Sequence, residues 1–312
     1  MQAAQITQFG GGEVVELVDV PAPTLAAGEV LIDIHAASLN AFDWKVISGA
    51  YKDAFPVPMP FRPGTDVAGV VVALGAGVTD FAVGDKVYGS AMVLSGGSGA
   101  FAQQATTKPS LLAKQPTSVS MTEAAALPLA GVSVVQALIE GLKLTRGQTI
   151  LITGGAGGIG SFAIQLAKHL GATVATTVRN ADDATFAQSL GADQVLTVSD
   201  QSVVDTLHDY DAVYDTVGGD ARTDAMRVLK RGGTIVSMLG KDDALAAELG
   251  VSTIAQTTTL TTERLTKLAE LVDAGAMKPQ LTIFPFAKIQ DAVIMAQAGN
   301  FHGKIVLTIQ EN

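Results

Sequence analysis

The sequence predicts an α/β protein with two domains, one rich in β-strands and the other built on a doubly wound parallel sheet. The chain has 312 residues, and a single hydrophobic core rarely grows to that size. Short apolar runs bounded by turn residues fill its first part, whereas from about residue 121 such runs alternate with helical segments. Hydrophobic residues make up 48% of the chain and charged residues 16%, a balance typical of buried parallel strands.

Charge and cysteine content exclude several classes of function. The formal charge of −10 argues against nucleic acid or an anionic membrane as the main partner. The chain contains no cysteine, which rules out disulfides, thiolate zinc sites, iron–sulfur clusters and a cysteine nucleophile. Residues 1–20 lack the features of a secretory signal, and no apolar run is long enough to span a membrane. We therefore expect a cytoplasmic protein.

The β-rich domain is predicted from strands that follow glycine-containing turns, at residues 30–34, 67–74 and 86–88. We expect a last strand, residues 304–309, to return to this domain. Residues 1–120 and 275–312 then form the β-rich domain, and residues 121–274 form the parallel-sheet domain.

The parallel-sheet domain is predicted from alternating strands and helices, because parallel strands need crossover connections. The predicted strands are residues 149–153, 173–178, 194–197, 212–215 and 234–237, and the predicted helices are residues 159–170, 181–190 and 220–229. Two further helices are predicted near residues 262–274 and 287–297.

A glycine-rich loop at residues 154–160 is the most specific motif. It follows a predicted strand directly, precedes a predicted helix, and satisfies G-x-G-x-x-G at Gly155, Gly157 and Gly160. Such glycines permit a tight turn and let the backbone approach a pyrophosphate, while free amides at the helix start face the anion. A flexible loop is the alternative, but the strand–loop–helix context favours a dinucleotide site that also includes Gly158 and Ile159.

The end of the next predicted strand indicates which nicotinamide cofactor is used. An acidic residue there would accept the ribose hydroxyls of NAD, but the segment reads Thr176-Thr177-Val178-Arg179-Asn180. Arg179 can instead form paired hydrogen bonds with a 2′-phosphate, supported by the hydroxyl of Thr176 or Thr177. NADPH is therefore the predicted cofactor. In the alternative, Arg179 is a solvated surface residue and Asp182 or Asp183, otherwise helix-capping residues, binds the ribose.

Nine collinear segments resemble the quinone oxidoreductase branch of the medium-chain dehydrogenase/reductase superfamily, the zeta-crystallin-like group. They span essentially the whole chain and comprise residues 28–31, 40–45, 63–69, 84–89, 99–103, 125–131, the glycine loop, 215–219 and 303–307. The resemblance implies a GroES-like catalytic domain and a Rossmann domain that binds NADPH, with the active site in the cleft between them. It also implies a homodimer joined through an edge strand, for which residues 250–259 are the candidate.

The resemblance also bears on metal chemistry. Zinc-dependent members of the superfamily use a cysteine and a histidine, but this sequence has Thr65 in place of that histidine and no cysteine. Without a metal that lowers the pKa of a hydroxyl, oxidation of an alcohol is difficult, whereas an electrophilic acceptor can take hydride directly. We therefore expect a zinc-free reduction of a quinone or of an α,β-unsaturated carbonyl compound.

For the site, the resemblance implies Asn40, Asp43 and Lys45 near the acceptor and Ser133 near the nicotinamide. Lys45 would stabilise a developing enolate or supply a proton, and Tyr51 is a second candidate donor. The alternatives are a surface ion pair between Asp43 and Lys45 and a packing role for Trp44.

Further cofactor contacts are predicted at the ends of later strands, where doubly wound sheets bind ligands. These are Val217, Leu239 and Gly240. Lys304 would reach the cofactor from the C-terminal strand, by resemblance, or else be an exposed strand lysine. Residues 92–99 form either a mobile rim of the substrate site or a plain surface loop.

Two other functions remain open at this stage. An enoyl-thioester reductase uses the same hydride step but needs a basic groove for the carrier phosphate, and no dense basic cluster is evident. A non-catalytic NADPH-binding redox sensor would show binding without turnover. The fold alone does not distinguish these functions.

Overall fold

The computed structural model describes residues 1–310 and divides into two compact units. The first unit comprises Met1–Val132, Leu260–Ala274 and the chain from Leu281 onward, and the second comprises Ser133–Thr259 and Gly275–Gln280. These limits differ from the boundaries expected at residues 120 and 275. Residues 121–132 and 260–274 lie with the first unit because a short helix of the former segment packs on its main sheet and the helix of the latter packs on one of its strands.

The first unit contains nine of the strands, arranged in two sheets. Strands β1 and β2 form an antiparallel pair, and β14-β15-β3-β4-β5-β7 form the larger sheet, in which β6 also pairs with β3. The strands are β1 (Gln2–Gln5), β2 (Glu16–Asp19), β3 (Val30–Leu39), β4 (Asp66–Leu74), β5 (Lys86–Ser90), β6 (Gln104–Thr107), β7 (Leu112–Lys114), β14 (Leu281–Pro285) and β15 (Lys304–Thr308).

Strand β3 organises the larger sheet because it pairs with three others. Its first residues alternate between buried and half-buried positions, but the residues from 36 to 39 are all buried. Strand β15 pairs antiparallel with this buried end, with Ile305 opposite Leu39. The C-terminal strand therefore returns to the first unit, as expected, and β3 extends five residues beyond the predicted end at residue 34.

The second unit is built on a parallel sheet of six strands in the order β10-β9-β8-β11-β12-β13. Strand order reverses between β8 and β11, and ligands bind at the carboxyl ends of strands beside such a switch point. The strands are β8 (Thr149–Ile152), β9 (Thr173–Val178), β10 (Gln194–Thr197), β11 (Tyr210–Asp215), β12 (Leu229–Ser237) and β13 (Ser252–Ala255). Strands β9 and β10 coincide with the predicted bounds. Strand β13 is an edge strand of this sheet, and it lies within residues 250–259, the segment predicted as the edge strand of a homodimer.

Within residues 1–310, ten α-helices connect or cover these strands, and α4 follows the glycine loop directly. The helix α7 ends two residues before the predicted limit because residue 229 begins β12. The helices are α1 (Ala41–Ile47), α2 (Met121–Ala125), α3 (Pro128–Val135), α4 (Gly158–His169), α5 (Ala181–Ser189), α6 (Val203–Thr206), α7 (Gly219–Arg227), α8 (Asp243–Leu249), α9 (Thr262–Asp273) and α10 (Ile289–Ala298).

Each unit has its own hydrophobic core. In the first unit, side chains of β3, β4 and α10 pack together around residues such as Ile32, Val71 and Val293. In the second, strand residues such as Leu151 and Val213 pack against Met226 of α7. Within residues 1–310, no helix is long and apolar enough to cross a membrane.

Candidate functional site

The glycine loop of the second unit has the geometry that close backbone approach requires. A Cβ atom at Gly155 would lie 2.2 Å from Thr176 Oγ1, and one at Gly160 would lie 2.2 Å from the carbonyl oxygen of Gly154. At Gly157, which is exposed and caps α4, a Cβ would meet only that same carbonyl, at 3.4 Å. Gly155 and Gly160 are thus needed for packing, whereas Gly157 faces open space.

Helix α4 begins at Gly158, so Gly158, Ile159 and Gly160 form its first turn. The first N–H groups of a helix have no acceptor within it, and they carry the positive end of the helix dipole. This loop can therefore bind a pyrophosphate through its backbone alone.

The two threonines at the end of β9 support the loop. Thr176 is buried and its hydroxyl donates to the Ile152 carbonyl over 2.6 Å. The Thr177 hydroxyl oxygen accepts a hydrogen bond of 3.2 Å from the Gly154 amide. Thr176 is therefore engaged in the sheet, while Thr177 fixes the start of the glycine loop.

Arg179 directly follows strand β9, at the carboxyl edge of the sheet, but it is not a freely solvated residue. Its Nε donates to Oδ2 of Asp183 over 2.8 Å, and its Nη2 donates to Oδ1 over 3.3 Å. Asp183 is buried, and its amide donates to the side chain of Asn180, which caps α5. The capping role proposed for Asp183 therefore belongs to Asn180. Asp183 instead holds the guanidinium group.

A buried carboxylate that sequence reasoning missed organises the switch point. Asp215, at the end of β11, accepts hydrogen bonds from the hydroxyls of Thr153, at 2.8 Å, and Ser237, at 2.7 Å. It also accepts from the amides of Val217 and Gly218, at 3.1 and 3.0 Å. One side chain thus joins the ends of three neighbouring strands.

This arrangement positions the three residues that were predicted to contact the cofactor at the ends of the later strands. Val217 lies two residues after Asp215, and the Leu239 amide donates to the Ser237 hydroxyl over 3.1 Å. The side chains of Val217 and Leu239 are about half exposed. Gly240 follows with a φ of +103°, a backbone conformation that favours glycine.

Ser133 is fully buried in a second polar network of the same unit. Its hydroxyl shares a hydrogen bond of 2.8 Å with the Tyr214 hydroxyl, and Gln256 Nε2 donates to its Oγ and to its carbonyl oxygen at 3.0 Å. Burial raises the pKa of Tyr214 well above its usual range, so this phenol stays protonated. The sequence did not indicate Tyr214 or Gln256 as site residues, because both lie in otherwise ordinary strand and loop segments.

The first unit holds a separate buried network that joins three of the predicted residues. Asn40 is the N-cap residue of α1. Its side chain also bonds outside that helix: Nδ2 donates to Oδ2 of Asp66 over 2.9 Å, and Oδ1 accepts a short hydrogen bond from Lys304 Nζ. Lys304 also donates to the Leu39 carbonyl over 3.0 Å. The alternative that Lys304 is an exposed lysine is therefore wrong, because its side chain is 4% exposed.

Asp66 is the centre of this network. Its carboxylate also accepts from the Ser38 hydroxyl at 3.2 Å and from the Leu129 amide at 3.2 Å, and Lys304 Nζ lies 3.9 Å from Oδ2. Burial raises the pKa of Asp66, and the ammonium of Lys304 opposes that rise. Burial lowers the pKa of Lys304, and the two aspartates oppose that change.

Asp43 completes the network from α1. One carboxylate oxygen of Asp43 accepts a hydrogen bond from the Thr65 hydroxyl at 2.7 Å. The other accepts from the backbone amide of Asn40 at 2.8 Å. Burial raises the pKa of Asp43 to about 7, and both hydrogen bonds oppose the rise. Since Asp43 is buried and bonded to Thr65, the alternative of a surface ion pair with Lys45 is wrong.

Asp43 also lines a small recess within the first unit, which is open to solvent and has a volume of about 10 Å³, room for about one water molecule. The other lining residues are apolar or glycine: Phe42, Val46, Phe61, Pro63, Gly64, Met92, Val93 and Leu94. Residues 92–94 belong to the segment, residues 92–99, that was predicted to be either a mobile rim of the substrate site or a plain surface loop. The recess therefore combines an apolar wall with one carboxyl group.

The remaining candidates lie on and just after α1. Lys45 Nζ is 5.7 Å from the centre of the Trp44 ring, a cation–π distance. The Tyr51 ring stacks on Phe42 at 5.4 Å and on Phe55 at 5.6 Å. Through Phe42, this aromatic cluster adjoins the recess.

Comparison with known proteins identifies the family. A model described as an alcohol dehydrogenase GroES-like domain matches residues 26–117, and one described as a zinc-binding dehydrogenase matches residues 190–307. The chain is 35% identical to 2-methylene-furan-3-one reductase of Solanum lycopersicum, over 98% of this chain and 79% of that protein. It is 33% identical to the chloroplastic NADPH-dependent alkenal/one oxidoreductase of Arabidopsis thaliana, with the same coverage.

Solved structures give the same result. The quinone oxidoreductase from Coxiella burnetii matches with a TM-score of 0.88 and 31% identity, over 99% of each chain. Escherichia coli quinone oxidoreductase complexed with NADPH matches with a TM-score of 0.88 and 25% identity, over 99% of this chain and all of that chain.

The residues of this chain do not fit the zinc ion that one family description names. The chain lacks cysteine, and the hydroxyl of Thr65 is bonded to Asp43. Among residues 1–310, no three histidine, aspartate or glutamate side chains are grouped so that they could hold a metal ion. With its GroES-like domain, its six-stranded Rossmann-like domain and relatives that match along its length, the chain belongs to the quinone oxidoreductase branch of the medium-chain dehydrogenase/reductase superfamily.

Proposed function

We propose that this protein is an NADPH-dependent reductase that transfers a hydride to a small quinone or to an α,β-unsaturated carbonyl compound, with no metal involved. The observation that carries the proposal is the pairing of two ligand sites in one chain: a glycine loop suited to a dinucleotide and an apolar recess that contains one carboxyl group. The relatives named as an alkenal/one oxidoreductase and as quinone oxidoreductases support the choice of acceptor.

The residues of the second unit fit the cofactor. Gly155, Gly157, Gly158, Ile159 and Gly160 would hold the pyrophosphate at the start of α4, where amides point outward and a side chain at residue 157 would occupy the ligand's space. When bound, NADPH supplies the hydride.

The remaining cofactor contacts lie around the same edge of the sheet. Arg179 would bind the 2′-phosphate and Thr177 would keep the loop in place. Val217, Leu239 and Gly240 would form the wall against the nicotinamide half. Ser133 was predicted as a further contact, but it is fully buried and its hydrogen bonds support a role in holding Tyr214 and Gln256. Lys304 was predicted to contact the cofactor, but its hydrogen bonds support a role in holding Asn40 and Asp66.

The first unit would bind the acceptor. An apolar, uncharged acceptor suits the opening of a recess whose walls include Phe42 and Phe61. Hydride addition places negative charge on the acceptor oxygen, and a nearby cation stabilises such charge. We assign that role to Lys45, which is not paired with Asp43, and we assign orientation of the acceptor to Tyr51 through its stack with Phe42.

The test is an assay of NADPH oxidation with a simple quinone, an alkenal and an enone as acceptors. Each acceptor is also assayed with NADH as the donor. The expected result is acceptor-dependent turnover that prefers NADPH. In the Lys45→Met variant, kcat should fall by about tenfold to a hundredfold because one cation no longer faces the developing charge. Tight NADPH binding without turnover on any acceptor would overturn the proposal and favour a redox sensor.

A further inference from the structure

We propose that Asp43 is the general acid of the reaction and that its carboxyl group delivers the proton that the acceptor takes up after the hydride. This inference rests on the proposed function, because only a reduction of this kind consumes a proton at the acceptor. It is drawn from the position of Asp43 in the recess, the balance of charge around it and the hydrogen bonds that its two oxygens receive.

The position of Asp43 sets it apart from other acids of the chain. Of the nine residues that line the recess, it alone has an ionisable side chain. The side chain is almost fully buried, so the surrounding walls exclude most of the water that would otherwise supply protons. A general acid must lie within hydrogen-bond reach of the group that it protonates, directly or through one water molecule. The recess has room for about one water molecule, which would connect Asp43 with an acceptor at its opening.

The charge balance of the buried network favours a proton on Asp43. The charged groups that act on it are Asp66 of β4 and Lys304 of β15, so two carboxyl groups share one ammonium. Lys304 lies 3.9 Å from Asp66, which also receives hydrogen bonds from Ser38, Asn40 and Leu129. The negative charge therefore resides on Asp66. A second buried negative charge beside it is unfavourable, so Asp43 tends to hold a proton.

The pKa of Asp43 suits this role. Burial is the largest cause of its rise to about 7, and the charge of Asp66 adds to it. The hydrogen bonds from Thr65 and from the Asn40 amide and the charge of Lys304 limit the rise. A general acid works best when its pKa lies close to the pH at which the enzyme operates.

The hydride brings two electrons to a carbon of the acceptor, and the resulting negative charge is shared with its oxygen. The O–H bond of Asp43 then breaks, its electron pair remains on the carboxylate, and the proton forms a new C–H or O–H bond in the product. The Thr65 hydroxyl and the Asn40 amide stabilise the carboxylate until a proton from water restores the acid. For a quinone, the hydride and this single proton together complete the reduction to the hydroquinone level.

The experiment measures kcat/KM for 2-hexenal from about pH 5 to about pH 9. In the wild-type enzyme we expect kcat/KM to be constant at low pH and to fall about tenfold per pH unit above the pKa of Asp43. In Asp43→Asn this fall should be absent, and kcat/KM at low pH should be at least about a hundredfold lower.

A second variant shows whether the pH dependence belongs to Asp43. Thr65→Val removes a hydrogen bond that favours the carboxylate, so the fall should move to higher pH. A role in structure alone would not shift the profile in this way. Asp80→Asn, which removes an exposed carboxylate of the same unit, is the matched control and should keep the wild-type profile.

The outcomes separate this inference from the proposed function. If the wild-type enzyme reduces no acceptor, the proposed function fails and the inference fails with it. If the wild-type enzyme turns over but Asp43→Asn keeps both the pH-dependent fall and most of the rate, only the inference is overturned. Infrared difference spectra of the protein without acceptor provide an independent measure: the band of a protonated carboxyl group should be lost with rising pH in the wild type and be absent in Asp43→Asn.

Discussion

Arg179 and Asp183 form a two-point ion pair across the first turn of α5, with Nε 2.8 Å from one carboxylate oxygen and Nη2 3.3 Å from the other. The arginine side chain is 56% exposed and the aspartate 3% exposed. The carboxylate thus occupies part of the guanidinium edge that a 2′-phosphate would use. Asp183 fixes the direction of Arg179 and would compete with such a phosphate.

Substitutions at this pair should move cofactor preference in opposite directions. Arg179→Glu should lower the preference for NADPH over NADH by at least about tenfold, because a charged hydrogen bond is replaced by repulsion. Asp183→Asn should raise it by roughly threefold, since removing a competing carboxylate of a partly exposed pair has a modest effect. The ratio of kcat/KM for the two cofactors is the measurement. An unchanged ratio in Arg179→Glu would indicate that another residue recognises the ribose.

Two glycines of the loop should respond differently to alanine. Gly160→Ala places a Cβ 2.2 Å from a backbone carbonyl, so the strand–helix packing must shift and the thermal midpoint should fall by several degrees. Gly157→Ala meets only ordinary contact at 3.4 Å and should keep the wild-type midpoint. It should still weaken NADPH binding by about tenfold or more, because the Cβ enters the space of the pyrophosphate. Thermal unfolding and NADPH titration of both variants test this contrast.

The stability of the first unit should depend on the ionisation of Asp43. The pKa rises from 3.8 to about 7 in the folded chain, so between these values the native state binds more protons than the unfolded state. The free energy of unfolding should therefore fall as pH rises through this window, by as much as about 4 kcal/mol at about 1.4 kcal/mol per pH unit.

Urea unfolding at several pH values, followed by the fluorescence of Trp44, would measure this dependence, because Trp44 is the only tryptophan and neighbours Asp43. Asp43→Asn supplies the comparison, since it removes the titrating group. Wild-type and variant curves that run parallel across the window would contradict the prediction.

The predicted homodimer can be tested at strand β13. This strand ends the order of the six-stranded sheet, and its Ile254 side chain is 38% exposed. If two copies extend their sheets through this edge, Ile254→Lys should convert the dimer to a monomer in analytical ultracentrifugation, because a charge is placed in the contact. Val198→Lys, at an exposed position beyond strand β10, should leave the dimer intact. A wild-type protein that sediments as a monomer would refute the prediction.

Local sequence predicted the second unit well because its signals lie close together. Strand β9, helix α4 and the loop between β8 and α4 each follow from a short apolar run, a glycine motif or a helix stop signal. The exposed position of Gly157 and the placement of Arg179 at the strand end also agree with the sequence pattern.

The buried network of the first unit could not be predicted in this way. Asn40 and Asp43 read locally as a helix start, and residues 63–66 read as a turn leading into a strand. Their convergence depends on register: Ser38 lies opposite Asp66 in β4 and opposite Val306 in β15. One signal was available, since Asp66 opens an almost wholly apolar strand and a carboxylate in such a setting needs partners.

The side chains of Lys304 and Asn40 meet although they are 264 residues apart in the chain. During synthesis, which runs from the N-terminus, the residues from Ser133 to Thr259 of the second unit are complete before Lys304 exists. Contacts of such long range form slowly, because a large loop must close first. Until the last strand pairs with β3, Asp66 faces its apolar surroundings without its ammonium. Assembly of this carboxylate network is therefore among the final events of folding, and a growing chain does not acquire it early.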